Sequence, residues 1–96
     1  MARLIRSRQA EEDLLAIASH IATENQSAAT KWLEQIERTL NLLAAYPMLG
    51  EDVGHLRPNL RRFSQRNYLL FFEPRANGID LVRLLHGSRR VEDLFD

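Results

Sequence analysis

Five side chains in the second half of the sequence could act together on an anionic group: Arg62, Arg83, His86, Arg89 and Arg90. Arginine offers a planar fork of donors that fits a carboxylate or a phosphate. Histidine is the side chain whose ordinary charge change falls near neutral pH. Four cations and one imidazole have the composition of a site that binds a phosphodiester and assists its cleavage. Cleavage also requires a base and an acid at fixed geometry, and in this group His86 is the only side chain of a type that commonly serves as either. In the plainer account His86 and Ser88 satisfy backbone groups at a strand end, while the arginines face solvent or a partner. For catalysis we prefer this plainer account.

Other chemistries find less support. No two of His20, His55 and His86 lie at ligand spacing from one another, and no metal site is expected. Neither glycine-rich phosphate loop, GxGxxG or GxxxxGK[ST], is present, Gly50 and Gly54 read as turn glycines, and no cofactor is expected. Ser64 and Ser88 lack the context of a nucleophile. The chain has no cysteine, which removes disulfides and thiolate metal sites and suits a reducing compartment. No apolar segment is long enough for a signal peptide or a membrane span, so a cytoplasmic location without membrane contact is expected.

The formal net charge of zero over 96 residues hides an asymmetry. Residues 57–90 hold eight arginines against Glu73 and Asp80, whereas residues 1–56 carry five basic and eight acidic groups. Twelve of the thirteen basic residues are arginine, Lys31 being the exception. A positive strand layer beside an acidic helical layer points to an anionic partner, or to charges neutralised within the fold.

The elements that must position these residues centre on YLLFFEPRANGIDLVRLLHGSRR, Tyr68 to Arg90. Its two apolar runs, Tyr68–Phe72 and Ile79–Leu85, read as strands of a β-hairpin. Pro74 is expected to end the first strand, and Asn77-Gly78 to supply the positive-φ positions of the reversal. The second strand alternates Ile79, Leu81, Arg83 and Leu85 with Asp80, Val82, Leu84 and His86. Apolar residues on both faces suit an interior strand.

The preceding sequence must cover this hairpin. Arg3–Arg6 is a short strand candidate. Ser7 can cap a helix from about Arg8 to about Thr23, on which Ala10, Leu14, Ile17 and Ile21 form one face. Ser27 is the next N-cap candidate, before a helix striped by Ala29, Trp32/Leu33, Ile36, Leu40 and Leu43. Trp32 reads as core on that stripe. Tyr46-Pro47 should stop the helix, leaving Tyr46–Asn59 as a loop and Leu60–Phe63 as a short strand. Ser64–Asn67 then turns into the hairpin, and Val91–Asp96 forms one helical turn or stays extended. One α+β domain is expected: an N-terminal strand, an antiparallel helical hairpin and a small antiparallel sheet in β-α-α-β-β-β order.

With these elements placed, the chain resembles the ParE branch of the RelE/ParE toxins of bacterial type II toxin–antitoxin modules. Five pieces carry the resemblance. They are Ser7-x-x-Ala10-x-x-Asp13-Leu14-x-x-Ile17-x-x-His20-Ile21, Tyr46-Pro47-Met48-Leu49-Gly50, Leu60-Arg61-Arg62-Phe63, Tyr68-Leu69-Leu70-Phe71-Phe72 and Val82-Arg83-Leu84-Leu85-His86-Gly87-Ser88-Arg89. The resemblance implies a small toxin silenced by a cognate ParD-like antitoxin, whose disordered C-terminal segment folds along the toxin. ParE members are associated with poisoning DNA gyrase, whereas RelE members are ribosome-dependent endoribonucleases that cut mRNA with basic residues and a tyrosine near the C-terminus. With Gly87 aligned on the glycine that ends the family's last strand, Arg89 falls on a basic catalytic position and Phe95 on the tyrosine. Phenylalanine has no hydroxyl to donate or accept a proton. The resemblance therefore favours a binding poison over a nuclease. The target- or antitoxin-binding surface is expected at the basic cluster of Arg61, Arg62, Arg83, His86, Arg89 and Arg90, and no sequence-specific nucleic-acid contact is expected. Arg62, Arg83, His86 and Arg89 are the catalytic candidates should the chain be a nuclease.

Overall fold

The computed structural model of the chain describes residues 2–87; Ser88, Arg89, Arg90, Phe95 and the expected last turn lie outside the described residues. In chain order the elements are β1 (Arg3–Arg6), α1 (Arg8–Glu24), α2 (Gln26–Ala45), a 3₁₀ turn (Pro47–Leu49), β2 (Glu51–Asp52), β3 (Arg61–Gln65), β4 (Tyr68–Arg75) and β5 (Gly78–His86). The α+β class and the β-α-α-β-β-β order are those expected, with β2 added inside the stretch read as loop.

Both helices start at side-chain caps. Ser7 Oγ accepts from the Ala10 amide at 3.0 Å, and Asn25 Oδ1 accepts from the Ala28 amide at 3.0 Å. Asn25, not Ser27, is therefore the second cap, and the Asn25 amide also closes α1 by donating to the Ile21 carbonyl. A single residue serves both ends, so the two helices turn back on each other at once. Tyr46 terminates α2, and Pro47 opens the 3₁₀ turn.

The sheet order is β1-β5-β4-β3-β2, and it is mixed rather than antiparallel. β1 runs parallel to β5, in register from Arg3 opposite Gly78 to Arg6 opposite Leu81. β4 occupies one edge of β5, leaving the other open, and β1 fills it before Ser7 turns the chain into α1. As expected, β5 is an interior strand.

The β4–β5 hairpin departs from expectation at its turn. Pro74 lies within β4, opposite Ile79, and β3 pairs with β4 only as far as Phe72. At Pro74 the strand has a ladder partner on one side only, a position where proline is tolerated. Asn77 does not adopt a positive φ; Gly78 does, at 147°. A Cβ on Gly78 would lie 1.8 Å from the Arg3 carbonyl oxygen, so glycine is what lets β1 approach.

A register shift between Phe71 and Phe72 marks a β-bulge, in which Val82 and Arg83 span a single step of β4. It breaks the simple alternation expected of β5. Ile79 and Leu81 pack with the helices, and so does Leu84, three residues on, whereas Val82 and Leu85 pack on the opposite face. The helix-side core joins these to Ala10, Leu14, Ile36, Leu40, Leu43, Leu70 and Phe72. Trp32 packs at its margin, as expected, while Leu33 is 38% exposed. A smaller core on the far face gathers Phe71 and Leu85 under Val53 and Leu60 of the loop between β2 and β3.

Gly50 is more than a turn residue. Its φ of −78° is open to any residue, but a Cβ there would lie 2.4 Å from the Phe72 ring. Its small size lets the 3₁₀ turn press against the core.

Two outcomes follow. Ile36 is fully buried, and Ile36→Ala is expected to cost about 2–5 kcal/mol; an unchanged chemical denaturation midpoint would show that α2 packs through another face. Gly78→Ala is expected to cost at least about 2 kcal/mol from the strained φ and the displaced β1. Gly54→Ala, where the nearest atom is a flexible Asp52 carboxylate oxygen at 3.1 Å, is the control, and equal melting temperatures for the two variants would contradict the account of Gly78.

Candidate functional site

Of the positions picked out from sequence, those among the described residues fall on two strands, β3 and β5. Arg62 is on β3, and Arg83 is on β5 at the bulge. The two strands are not adjacent: Arg62 pairs with Phe71 of β4, and Phe71 pairs with Arg83. A full strand lies between them, which corrects the expectation that Arg62 sits beside the last strand. Arg61 and Arg62 are successive residues of one strand, so they project to opposite faces. Arg61 donates from Nε to the Gly50 carbonyl at 2.9 Å. The grouping expected from sequence is therefore divided between the two faces of the sheet.

The arginines are also engaged. Arg62 pairs with Glu51 of β2 at 2.6 Å. Arg83 pairs with Asp13 of α1 through both arms of the fork: Nε donates to Oδ2 at 2.8 Å, and the second nitrogen donates to Oδ1 at 3.1 Å. Asp13 Oδ2 also accepts from the Leu84 amide at 3.1 Å. Both side chains are more than four-fifths buried. Hydrogen bonding by Asp13 raises the Arg83 pKa above the ordinary arginine value against the opposing effect of burial, and attraction to Asp13 and Glu12 adds to it. Because the folded value is raised, the Arg83 contribution is fully present at neutral pH and is lost as pH rises into the strongly alkaline range.

His86 ends β5, where it is exposed. Its ring meets that of Tyr68 edge-on, with centroids 5.5 Å apart, and Tyr68 meets Trp32 of α2 in the same way at 5.3 Å. Tyr68 was not singled out from sequence, where it reads as a strand aromatic and nothing local marks it as the neighbour of His86. The hollow bounded by Asp13, Ala16, Ile17, Leu84, Leu85 and His86 holds about 150 Å³, below the ~300–1,000 Å³ of typical small-molecule sites. The region offers a surface rather than a pocket.

A second network lies on the far face of the sheet. Glu73, the one buried charged residue among those described, receives Arg57 at 3.0 Å and Arg75 at 2.7 Å. Arg75 continues to Asp80 at 2.8 Å. Glu73 and Asp80 are directly opposed across β4 and β5, a repulsive placement that Arg75 bridges. Hydrogen bonding to Asp80 is the chief cause that raises the Arg75 pKa, with Glu73 contributing less. Three of the arginines that gave residues 57–90 their positive balance, Arg57, Arg75 and Arg83, are thus paired with carboxylates of this chain, as is Arg62. Among the described residues no three His, Asp or Glu side chains come together in a way that could hold a metal ion.

Set beside known proteins, residues 4–91 match the model of the ParE toxin of type II toxin–antitoxin systems, parDE. Toxin ParE3 of Caulobacter vibrioides is 32% identical over 92 residues, which cover 95% of this chain and 92% of that relative. Toxin ParE1 of Mycobacterium tuberculosis is 32% identical over 65 residues, 67% of this chain and 66% of the relative. A solved chain of the chromosomal ParDE system from P. aeruginosa has the same fold, with a TM-score of 0.74 at 21% identity over 90% of this chain and 96% of that one. The chain belongs to the ParE toxin family of type II toxin–antitoxin systems. No helix among the described residues is long and apolar enough to cross a membrane.

The Asp13 clasp can be tested directly. Asp13→Ala leaves the Arg83 guanidinium and the Leu84 amide without their shared acceptor and is expected to cost about 1–3 kcal/mol. The double variant Asp13→Ala/Arg83→Met should lose less than the sum of the two single changes in a denaturation cycle; strict additivity would mean that the two side chains act independently.

Proposed function

We propose that this chain is a toxin that acts by binding, that its target is DNA gyrase, and that a ParD-like antitoxin neutralises it. The observation that carries the choice of binding over cleavage is the engagement of Arg83. A phosphodiester-cleaving site needs cations directed at the position where charge develops, together with a placed acid and base. Arg83, which would lie at the centre of such a site, is held in a two-pronged pair with Asp13, and Arg62 is drawn to Glu51 on the other side of β4. A binding poison has no such requirement and needs only a complementary surface. Arg61, Arg62, Arg83, His86, Arg89 and Arg90 remain the residues proposed for contact with target or antitoxin. The family membership and the gyrase association of the ParE branch support the target, and the ParDE system of the structural neighbour supports the partner. We place the toxin in the cytoplasm, where gyrase works.

The purified chain is expected to inhibit gyrase supercoiling or to trap cleaved DNA, to be relieved by its antitoxin, and to leave translated mRNA intact. Primer extension on mRNA from cells expressing the chain decides between the two mechanisms. Discrete cuts within translated frames that disappear on Arg89→Ala would replace the gyrase proposal with a ribosome-dependent nuclease.

A further inference from the structure

Exposed apolar side chains are unevenly distributed over this surface. Seven large hydrophobic residues are exposed among those described, and four of them, Leu42, Tyr46, Met48 and Leu49, fall within residues 42–49. Ile5, Leu15 and Leu33 stand apart from that stretch, and single exposed apolar residues are ordinary. Leu42 and Tyr46 are one helical turn apart, and the Tyr46 amide donates to the Leu42 carbonyl at 2.8 Å. Met48 and Leu49 continue the surface on the 3₁₀ turn, where they are 76% and 51% exposed. The patch is rigidly based, because Gly50 packs against the Phe72 ring and its carbonyl is held by Arg61.

Charge borders the patch unequally. Along α2, Lys31, Gln35, Arg38, Leu42 and Tyr46 follow one another at intervals of four, three, four and four, a stripe beside the one that faces the core. Its N-terminal end is cationic, and neither Lys31 nor Arg38 has an ion-pair partner among the described residues. At the other end, immediately after Gly50, come Glu51 and Asp52, both exposed. Asp52 accepts from the Gly54 amide and pairs with no cation among the described residues, and Glu51 pairs with Arg62.

We propose that this surface is a self-association site, closed by a second copy of the chain about a two-fold axis. An apolar centre with cations at one end and carboxylates at the other is self-complementary. When two copies meet with their α2 helices antiparallel, the Lys31–Arg38 end of each faces the Glu51–Asp52 end of the other, and the four apolar residues pack at the centre. Two-fold symmetry makes every contact occur twice, so a single complementary arrangement serves the whole interface. A patch of four apolar side chains falls short of the ~800 Å² per partner of a common stable interface, so the dimer dissociates on dilution. The surface is separate from Arg83 and His86, although its acidic end adjoins Arg61 and Arg62 through Gly50 and Glu51, and the proposal does not depend on which target the toxin has.

Sedimentation of the full chain, freed of any partner, over about a hundredfold range of concentration reads the association directly. A concentration-dependent dimer is expected. Leu42→Asp/Met48→Asp should raise its dissociation constant by about 100-fold or more, with helical circular dichroism and melting temperature unchanged as the check on folding. Arg38→Glu and Asp52→Arg should each weaken the dimer, and combining them in one chain should restore it, because each copy then presents both reversed ends. A chain that stays monomeric at the highest concentration overturns the proposal. A dimer indifferent to the Leu42/Met48 change does so as well, because the contact then lies elsewhere. A monomer that covers this patch only in complex with an acidic partner assigns the surface to that partner instead.

Discussion

The fold turns on the bulge in β5 and on how its open edge is closed. A strand with uninterrupted alternation would present Ile79, Leu81, Arg83 and Leu85 to one layer. That would drive a guanidinium into the helix-side core and remove Leu84 from it. The extra residue at Val82–Arg83 resets the phase, so that Leu84 joins the helix-side core and Leu85 closes the smaller core on the far face. A bulge also interrupts the ladder, and β1 ends just as it begins, at Arg6 opposite Leu81. The exposed backbone beyond that point would be costly to leave unpaired. Ser7 and Asp13 supply the missing partners: the Ser7 amide donates to the Leu81 carbonyl, Ser7 Oγ donates to the Val82 carbonyl, and Asp13 accepts from Leu84.

The start of α1 therefore serves two ends at once. Ser7 caps the helix and pins it to β5, and Asp13, less than two turns further on, repeats the attachment through the Arg83 fork. The hairpin of helices is held at its far side as well, where Arg6 pairs with Glu37 and Thr39 bonds to Gln65. Apolar packing of Ile36, Leu40 and Leu43 supplies the non-directional part of this adhesion, and the polar contacts at the margins fix where the helices sit.

Much of this was legible in the sequence, and what was not has physical reasons. The 3.6-residue periodicity around Leu14 and Ile36, the cap at Ser7 and the stop at Tyr46-Pro47 are local signals, and each was read correctly. The direction of β1 was not, because parallel and antiparallel edges can follow from the same Leu4-Ile5 pair and depend on a partner more than seventy residues away. Gly78 was read as a turn glycine for the right element but only half the reason, since the approach of Arg3 cannot be seen locally. The phase change at Val82 leaves no mark in a run that is apolar on both faces. The site suffered most: Arg62, Arg83 and His86 all fall in the strand half of the sequence, yet a strand separates the first two, and the carboxylates that engage Arg62 and Arg83 come from β2 and α1.

That last point bears on how an arginine-rich segment is interpreted. Eight arginines against two acids in residues 57–90 describe a strongly basic stretch of sequence, but a charge in sequence becomes a binding surface only if the fold leaves it uncompensated. Here Asp13 and Glu51, from the acidic first half, return to meet Arg83 and Arg62, and Glu73 with Asp80 takes up Arg57 and Arg75. Part of the chain's zero net charge is thus met by pairs across the layers. Partly buried pairs of this kind hold orientation, because separating them strands a charge at a cost well above the small net contribution of the intact pair. The arginine-rich half acts first as an internal fastening between layers. An anionic partner seeking Arg83 must compete with Asp13 for the same guanidinium fork, whereas Lys31, Arg38 and Arg66 present charge that no carboxylate of the described residues has claimed.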